Sequence, residues 1–320
     1  MTLQQQIRRN RFRSGIVLAG FVLLLLVLAG LVGLVFDVSL GIVALVVAGI
    51  YALVAIVRSR SMISGLTHAQ PVGPDELRPL RRLVENVAIG AGLAVTPELR
   101  VVHDDAPNAF AAGLRPTNSY VGLTTGLLRT MPKRELEAVL AHEISHIRNR
   151  DTYLMTMATV FAGVIALVAD IGFRTLAYGG RNRRAGGAAA ILALVGFVLA
   201  PYAAFLLRMS LSRRRELLAD AGAAEILSDP EAMALALRRL ELDMTTVRYA
   251  GASTAHLWVE SPTDRIASDR GGMLEFTSWF NTHPPTRTRI AALEESGGFR
   301  LPETLPPDRP FASELGLAEG

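Results

Sequence analysis

Apolar residues fall along this chain in two different patterns. Residues 15–36 and 40–57 are unbroken apolar runs, parted by Asp37 and Ser39, and residues 152–173 and 188–207 form a second such pair. Each run is near the roughly 20 residues a helix needs to cross a bilayer core, so two membrane hairpins are predicted. Elsewhere the pattern becomes periodic. Leu77, Leu80, Val84 and Val87 share one helical face within residues 74–91, where Pro74 sits in the first turn and Pro79 leaves the start open. Short strands are predicted at 99–103, 109–114 and 120–124, the last two joined by the turn-like Arg115-Pro116-Thr117-Asn118. Pro132 opens a helix to about Arg150, with Leu136, Val139, Leu140 and Ile147 on its buried face. Residues 211–227 continue the fourth run as a helix, 230–244 are amphipathic, 245–281 irregular and 286–295 a short helix. From residue 297 a Pro-rich, polar composition predicts a loose tail.

The expected fold class is α+β, mostly helical with a small sheet, joined to two transmembrane or membrane-dipping hairpins. The expected organisation is an N-terminal hairpin (1–60), the first part of a soluble domain (61–151), a second hairpin (152–208), the second part of that domain (209–296) and a flexible tail (297–320). A basic start before an apolar run can mark a cleaved signal peptide. Here the run is too long, no small-residue cleavage site stands out, and a second run follows at once.

Charge adds topology. Arg8, Arg9, Arg11 and Arg13 precede the first run, and Arg58 and Arg60 follow the second. Positive residues stay inside, so both ends of this hairpin are expected in the cytoplasm. Arg181, Arg183 and Arg184, between the third and fourth runs, conflict with a full second crossing. Either that hairpin only dips into the membrane, or the first hairpin overrides the rule. Asp170, near the end of the third run, faces either the bundle interior or, as its position favours, the interface. The net charge of +4 comes with only 6% aromatics and with arginines beside apolar runs, which suits lipid headgroups and argues against a nucleic-acid partner. The chain has no cysteine, so any metal site must be built from His, Asp or Glu.

Such a site is present in the helix that Pro132 opens, as His142-Glu143-Ile144-Ser145-His146. Histidines four apart stand one turn apart on one face and can share a metal. Glu143 cannot comfortably be a third ligand but can reach a metal-bound water, whose proton it takes as that water attacks a carbonyl. The best third ligand is Glu216, within Ser212-Arg213-Arg214-Arg215-Glu216-Leu217-Leu218-Ala219-Asp220, with Asp220 one turn further on to hold a histidine's free nitrogen. Taken alone, this stretch is an ordinary charged helix beside a span. Arg213 to Arg215 can hold substrate or phosphates, but lipid headgroups explain them more cheaply.

Together these pieces, with His146-Ile147-Arg148-Asn149-Arg150-Asp151 and the paired apolar runs, resemble the HtpX-like family of bacterial membrane metallopeptidases, related to the CaaX prenyl proteases, within the gluzincins. The resemblance covers most of residues 1–293. It implies a zincin-type domain, one zinc ion per subunit held by His142, His146 and Glu216, and Glu143 as base. It also implies an active site on the cytoplasmic face of the inner membrane, and endopeptidase action on misfolded membrane proteins in quality control. Asn108-Ala109-Phe110-Ala111 resembles the gluzincin edge strand that pairs with a substrate backbone, although Asn108 also suits a turn. Asn281-Thr282-His283-Pro284-Pro285 with Arg289 resembles the family's late His-Pro segment, where His283 would stabilise an oxyanion, although it also suits a loop before a Pro-capped helix. Asp151 can serve as a carboxylate behind the ligands or as a helix-end group. His68, His103 and His256 have no helical partner.

Two alternatives remain open from sequence: a catalytically silent membrane scaffold or receptor, and a narrow processing protease. An exposed peptidase would be harmful, so residues 245–281 or the second hairpin are expected to limit access.

Overall fold

The structure, a computed structural model, describes residues 3–178, 187–243, 245, 247, 258–259 and 284–316, without the side chains of a few of these, Arg213 and Arg214 among them. The described residues fall into two compact units, one within residues 8–59 and 154–211, the other within residues 1–7, 60–153 and 212–320.

The first unit is helical. It is built from most of α1 (Leu3–Val35) and α2 (Val38–Thr67), and from parts of α6 (Asp151–Tyr178) and α7 (Gly187–Leu227). Four of its stretches are long and apolar enough to cross a membrane: Ser14–Val35, Val38–Thr67, Asp151–Leu176 and Ala190–Leu207. Phe21, Leu28, Ile165, Ala193 and Phe197 form its interior. Leu23, Val43, Ile50 and Leu199 point outward, as expected where lipid replaces water. Asp170 is exposed and takes both its oxygens to Arg174 Nε at 2.8–2.9 Å, which excludes it from the bundle interior. The arginine-rich loop around Arg183 lies outside the described residues.

The second unit carries a four-stranded sheet in the order β1-β2-β4-β3, with β1 (Gln70–Pro71), β2 (Glu98–Val102), β3 (Ala109–Arg115) and β4 (Asn118–Thr124). β2 runs parallel to β4, and the other pairs are antiparallel. The β3–β4 hairpin turns tightly after Gly113, whose φ of 139° and Cβ position 2.6 Å from Asn118 O admit no side chain. Last in the strand order, β3 is an edge strand of the sheet. Helices α3 (Arg78–Gly90), α5 (Lys133–Asn149), α8 (Pro230–Leu242) and α9 (Thr286–Gly297) surround a core with Leu136, Leu140, Ile144, Met233 and Leu237 at its heart. The short α4 (Thr125–Thr130) follows β4, capped by Thr124, whose Oγ1 accepts from Leu127 N at 3.1 Å.

The end of the chain departs from a loose tail. A 3₁₀ turn at Phe311–Leu315 returns to the unit, where Phe311 N donates to Met131 O at 2.8 Å and its ring is buried. One aromatic side chain with a matching slot outweighs the polar composition around it.

Candidate metal centre and active site

Two helices, α5 and α7, bring the site together through residues that all belong to the second unit. On α5, His142 and His146 stand one turn apart, with Glu143 beside the first; His142 and Glu143 are buried. On α7, Glu216 and Asp220 repeat the same spacing and are also buried. The two helices approach closely where Gly222 meets Ser145: a Cβ there would lie 2.1 Å from Ser145 Oγ. A larger residue at 222 would push α7, and Glu216 with it, away from the histidines.

Each histidine has a carboxylate behind it. Asp220 Oδ1 lies 3.0 Å from His142 Nδ1, and Asp151 Oδ2 lies 3.2 Å from His146 Nδ1. Asp151 can reach back because α5 ends at Arg150 in the left-handed conformation (φ 64°), which reverses the chain before α6 begins. With a carboxylate beside each Nδ1, the two Nε2 atoms face each other at 3.2 Å. Glu216 closes the triangle, with Oε2 3.6 Å from His142 Nε2 and Oε1 3.7 Å from His146 Nε2. Two lone pairs at that distance repel unless a proton or a metal ion lies between them, so the metal-free pair shares a proton that zinc would replace. Ligand nitrogens of a tetrahedral zinc, at about 2.0–2.1 Å from the metal, stand about 3.3 Å apart. His142, His146 and Glu216 fit zinc by spacing, donor type and burial.

Two buried arginines support the acids from behind. Arg289 grips Asp220 with Nε at 2.8 Å and Nη2 at 2.7 Å, and its Nη1 lies 3.7 Å from Glu216. Arg215 is fully buried against Asp151, with Nε 3.6 Å from its carboxylate. This removes Arg215 from any role with lipid headgroups or substrate: its guanidinium belongs to the interior of the site. Four carboxyls, from Glu143, Asp151, Glu216 and Asp220, thus meet two guanidiniums, and a divalent cation balances the difference. Burial pushes the Asp220 pKa up, but Arg289 outweighs it and keeps the carboxylate ionised. Burial in turn pushes the Glu143 carboxyl up, opposed by the two histidines.

Burial also opposes charge on His142, but hydrogen bonds to Asp220 and Glu216 outweigh it and raise its pKa to about 9 before metal binds. The sign follows. An imidazole whose pKa rises on folding stabilises the metal-free fold below its ordinary value of 6.5, and that stabilisation is lost as the pH rises through 9. Zinc needs the neutral ring. Binding at pH 7.5 should therefore release about one proton from His142, and the release should fade above pH 9. Calorimetry in buffers of different ionisation heat measures this; no proton release at pH 7.5 would contradict it.

Arg289 was visible in the sequence only as part of the late His-Pro segment. Ile290 and Leu293 share its helical face, which signals that it is buried. Removing it strands Asp220 in the interior. Breaking a buried pair costs about 3–5 kcal/mol, and losing a group that orients a ligand weakens metal binding about 10- to 100-fold. Arg289→Met should show both effects, in thermal unfolding and in zinc titration respectively.

The other expected site residues divide. Asn108 precedes β3 and Ala109 opens it; both are buried, and Asn108 Oδ1 accepts from Ala109 N at 3.0 Å. His283 lies outside the described residues, as does most of 245–281.

Residues 74–296 of the chain match peptidase family M48. The chain belongs to this family. It is 35% identical over 304 residues to the protease HtpX homolog of Limosilactobacillus fermentum, covering 92% of this chain and 99% of that one. To the protease HtpX homolog of Listeria monocytogenes serotype 4a it is 36% identical over 309 residues, covering 91% and 99%. The crystal structure of S. mikatae Ste24p is similar at a TM-score of 0.47 and 20% identity, covering 76% of this chain and 55% of that one. The chain is thus an M48 membrane zinc metallopeptidase, with the His142, His146 and Glu216 group as its zinc-type site.

Proposed function

We propose that this M48 peptidase is an endopeptidase with one zinc ion per subunit, cutting unfolded segments of membrane and membrane-associated proteins at the cytoplasmic face of the bacterial inner membrane, in quality control. The observation that carries the reading is the pair of Nε2 atoms at 3.2 Å, closed by Glu216 and flanked on the same helix by Glu143. Zinc, when bound, supplies a Lewis acid that acidifies water and polarises a carbonyl.

The chain's own residues do the rest. His142, His146 and Glu216 hold the metal. Asp220 and Asp151 fix the two rings so that Nε2 faces inward. Glu143 takes the proton of the attacking water and passes it to the leaving amine; burial pushes its pKa up, the direction that makes it a better proton acceptor. We assign His283 to the developing oxyanion, on the resemblance of its His-Pro segment. Ala109 holds the substrate backbone by strand addition, with the Asn108 side chain beside it to bond a substrate amide, a mode that reads little side-chain identity and suits varied unfolded clients.

The cytoplasmic assignment rests on counting. His146 and Glu216 meet at one metal, so an even number of crossings separates them, and the N-terminal arginines place the return of the first hairpin inside. The test is a zinc-loaded, detergent-solubilised chain given a denatured membrane protein, with an accessibility reporter beside Asp75 in intact cells. Cleavage that stops with a chelator and returns with zinc, and a reporter reached only from inside, are expected. Cleavage indifferent to the chelator, or a reporter labelled from outside, would refute the respective half.

A further inference from the structure

The outer edge of β3, where a substrate backbone would add, is already in use. Asn108 O accepts from Thr124 N at 3.0 Å, so the alternation of an antiparallel ladder turns Asn108 and Phe110 toward β4 and turns Ala109 and Ala111 outward. Both outward groups of Ala109 are engaged. Its N–H goes to the Asn108 side chain, and its carbonyl accepts from Val259 N at 2.9 Å. Phe110 and Trp258 form an antiparallel bridge. The Val259 carbonyl accepts in turn from Arg289 Nη1 at 3.2 Å, the same guanidinium that grips Asp220 behind His142. One residue of the chain, Val259, is thus held between the edge strand and the arginine of the metal centre, antiparallel, as an added strand would be.

The anchor is aromatic. Trp258 is fully buried, 4.8 Å from the Phe110 ring at an interplanar angle of 62°, and Phe110 packs edge-on to Tyr120. Among the described residues, Trp258 Nε1 is buried without a hydrogen-bond partner. Unsatisfied buried donors penalise the docked state and favour its release. Among the described residues the docking rests on the Trp258 ring, the buried Val259 side chain and the two hydrogen bonds of the Val259 backbone, with one buried indole N–H as its polar cost.

We propose that Trp258 and Val259 form an internal strand that holds the substrate's place on the β3 edge, so that a peptide pairs with Ala109 only after Val259 has left it. The inference rests on the reading of β3 as the substrate-pairing strand, and it adds a restraint built into the chain.

The test measures binding on the zinc-loaded, full-length Glu143→Gln background, so that it needs no turnover. The probe is a fluorescent peptide copying residues 255–262. Val259→Pro removes the N–H that reaches Ala109 and should tighten probe binding about tenfold, the effect of one hydrogen bond, with zinc content unchanged. Because the chain lacks cysteine, the pair Phe110→Cys and Trp258→Cys can lock the strand. Opposed residues of this kind lie about 4.5–5.5 Å apart, within disulfide reach. The oxidised form should lose probe binding and the reduced form regain it. Equal affinity with and without Val259→Pro, or a locked form that binds as well as the reduced one, would overturn the inference. Absence of cleavage by the unmutated chain would instead refute the endopeptidase reading, and leaves this binding result to stand or fall separately.

Discussion

Glu143→Gln will lower the turnover of a peptide substrate by about 10²- to 10⁴-fold, the range expected for loss of a general base, while zinc content stays at the wild-type level. The two effects separate for a structural reason. Glu143 is adjacent to His142 on α5, is buried, and is absent from the group whose donor atoms converge. Gln keeps the shape and volume of Glu, so the core around Ile144 and Leu140 is undisturbed. It cannot accept a proton, and that is the property the reaction needs. Because burial pushes the Glu143 carboxyl up, the amide is also a mild substitution for folding, and the variant should unfold no more easily than the parent. A variant that keeps zinc and still cleaves at the parent rate would remove Glu143 from the chemistry.

Glu216→Ala will act in the opposite way, through the metal. Glu216 is the one member of the convergent group that comes from α7, and its two oxygens face both Nε2 atoms. Without it, two histidines remain, too few for a closed catalytic zinc site, which takes three protein ligands and one open position. Zinc binding should fall by at least about 100-fold, beyond the 10- to 100-fold range for losing a merely supporting group, and cleavage should fall with it. The loss also leaves Arg289 and Arg215 with one fewer negative neighbour in the interior, so the metal-free variant should unfold at a lower temperature than the metal-free parent.

Much of this was legible in the sequence because it depends on local periodicity. The four apolar runs, the β3–β4 hairpin around Pro116, and the helix carrying His142 and His146 all follow from spacing within a single element. Glu216 needed the pairing of two distant segments, and became readable only because a zinc site demands a third ligand and the chain has no cysteine. What stayed hidden depends on tertiary contact. Gln70 and Pro71 form a strand only because Val101 and Arg100 lie beside them. Thr125–Thr130 is too short to show a helical period, and its start is set by the Thr124 cap. Phe311 docks against a composition that argues for disorder. Arg215 looked like one of three juxtamembrane cations, and its burial follows from Asp151, reached only after the left-handed turn at Arg150. Trp258 sits in a stretch with no periodicity, and its partner Phe110 lies 148 residues away, a pairing seen only in the fold.

The central claim is that one zinc ion, held by residues of α5 and α7, is what makes this M48 chain a peptidase. The most direct test is zinc content and peptide cleavage measured side by side on the purified parent, Glu143→Gln and Glu216→Ala. The account predicts one zinc per chain with activity in the parent, one zinc without activity in Glu143→Gln, and neither in Glu216→Ala. A Glu216→Ala protein that retains stoichiometric zinc and cleaves at the parent rate would contradict it.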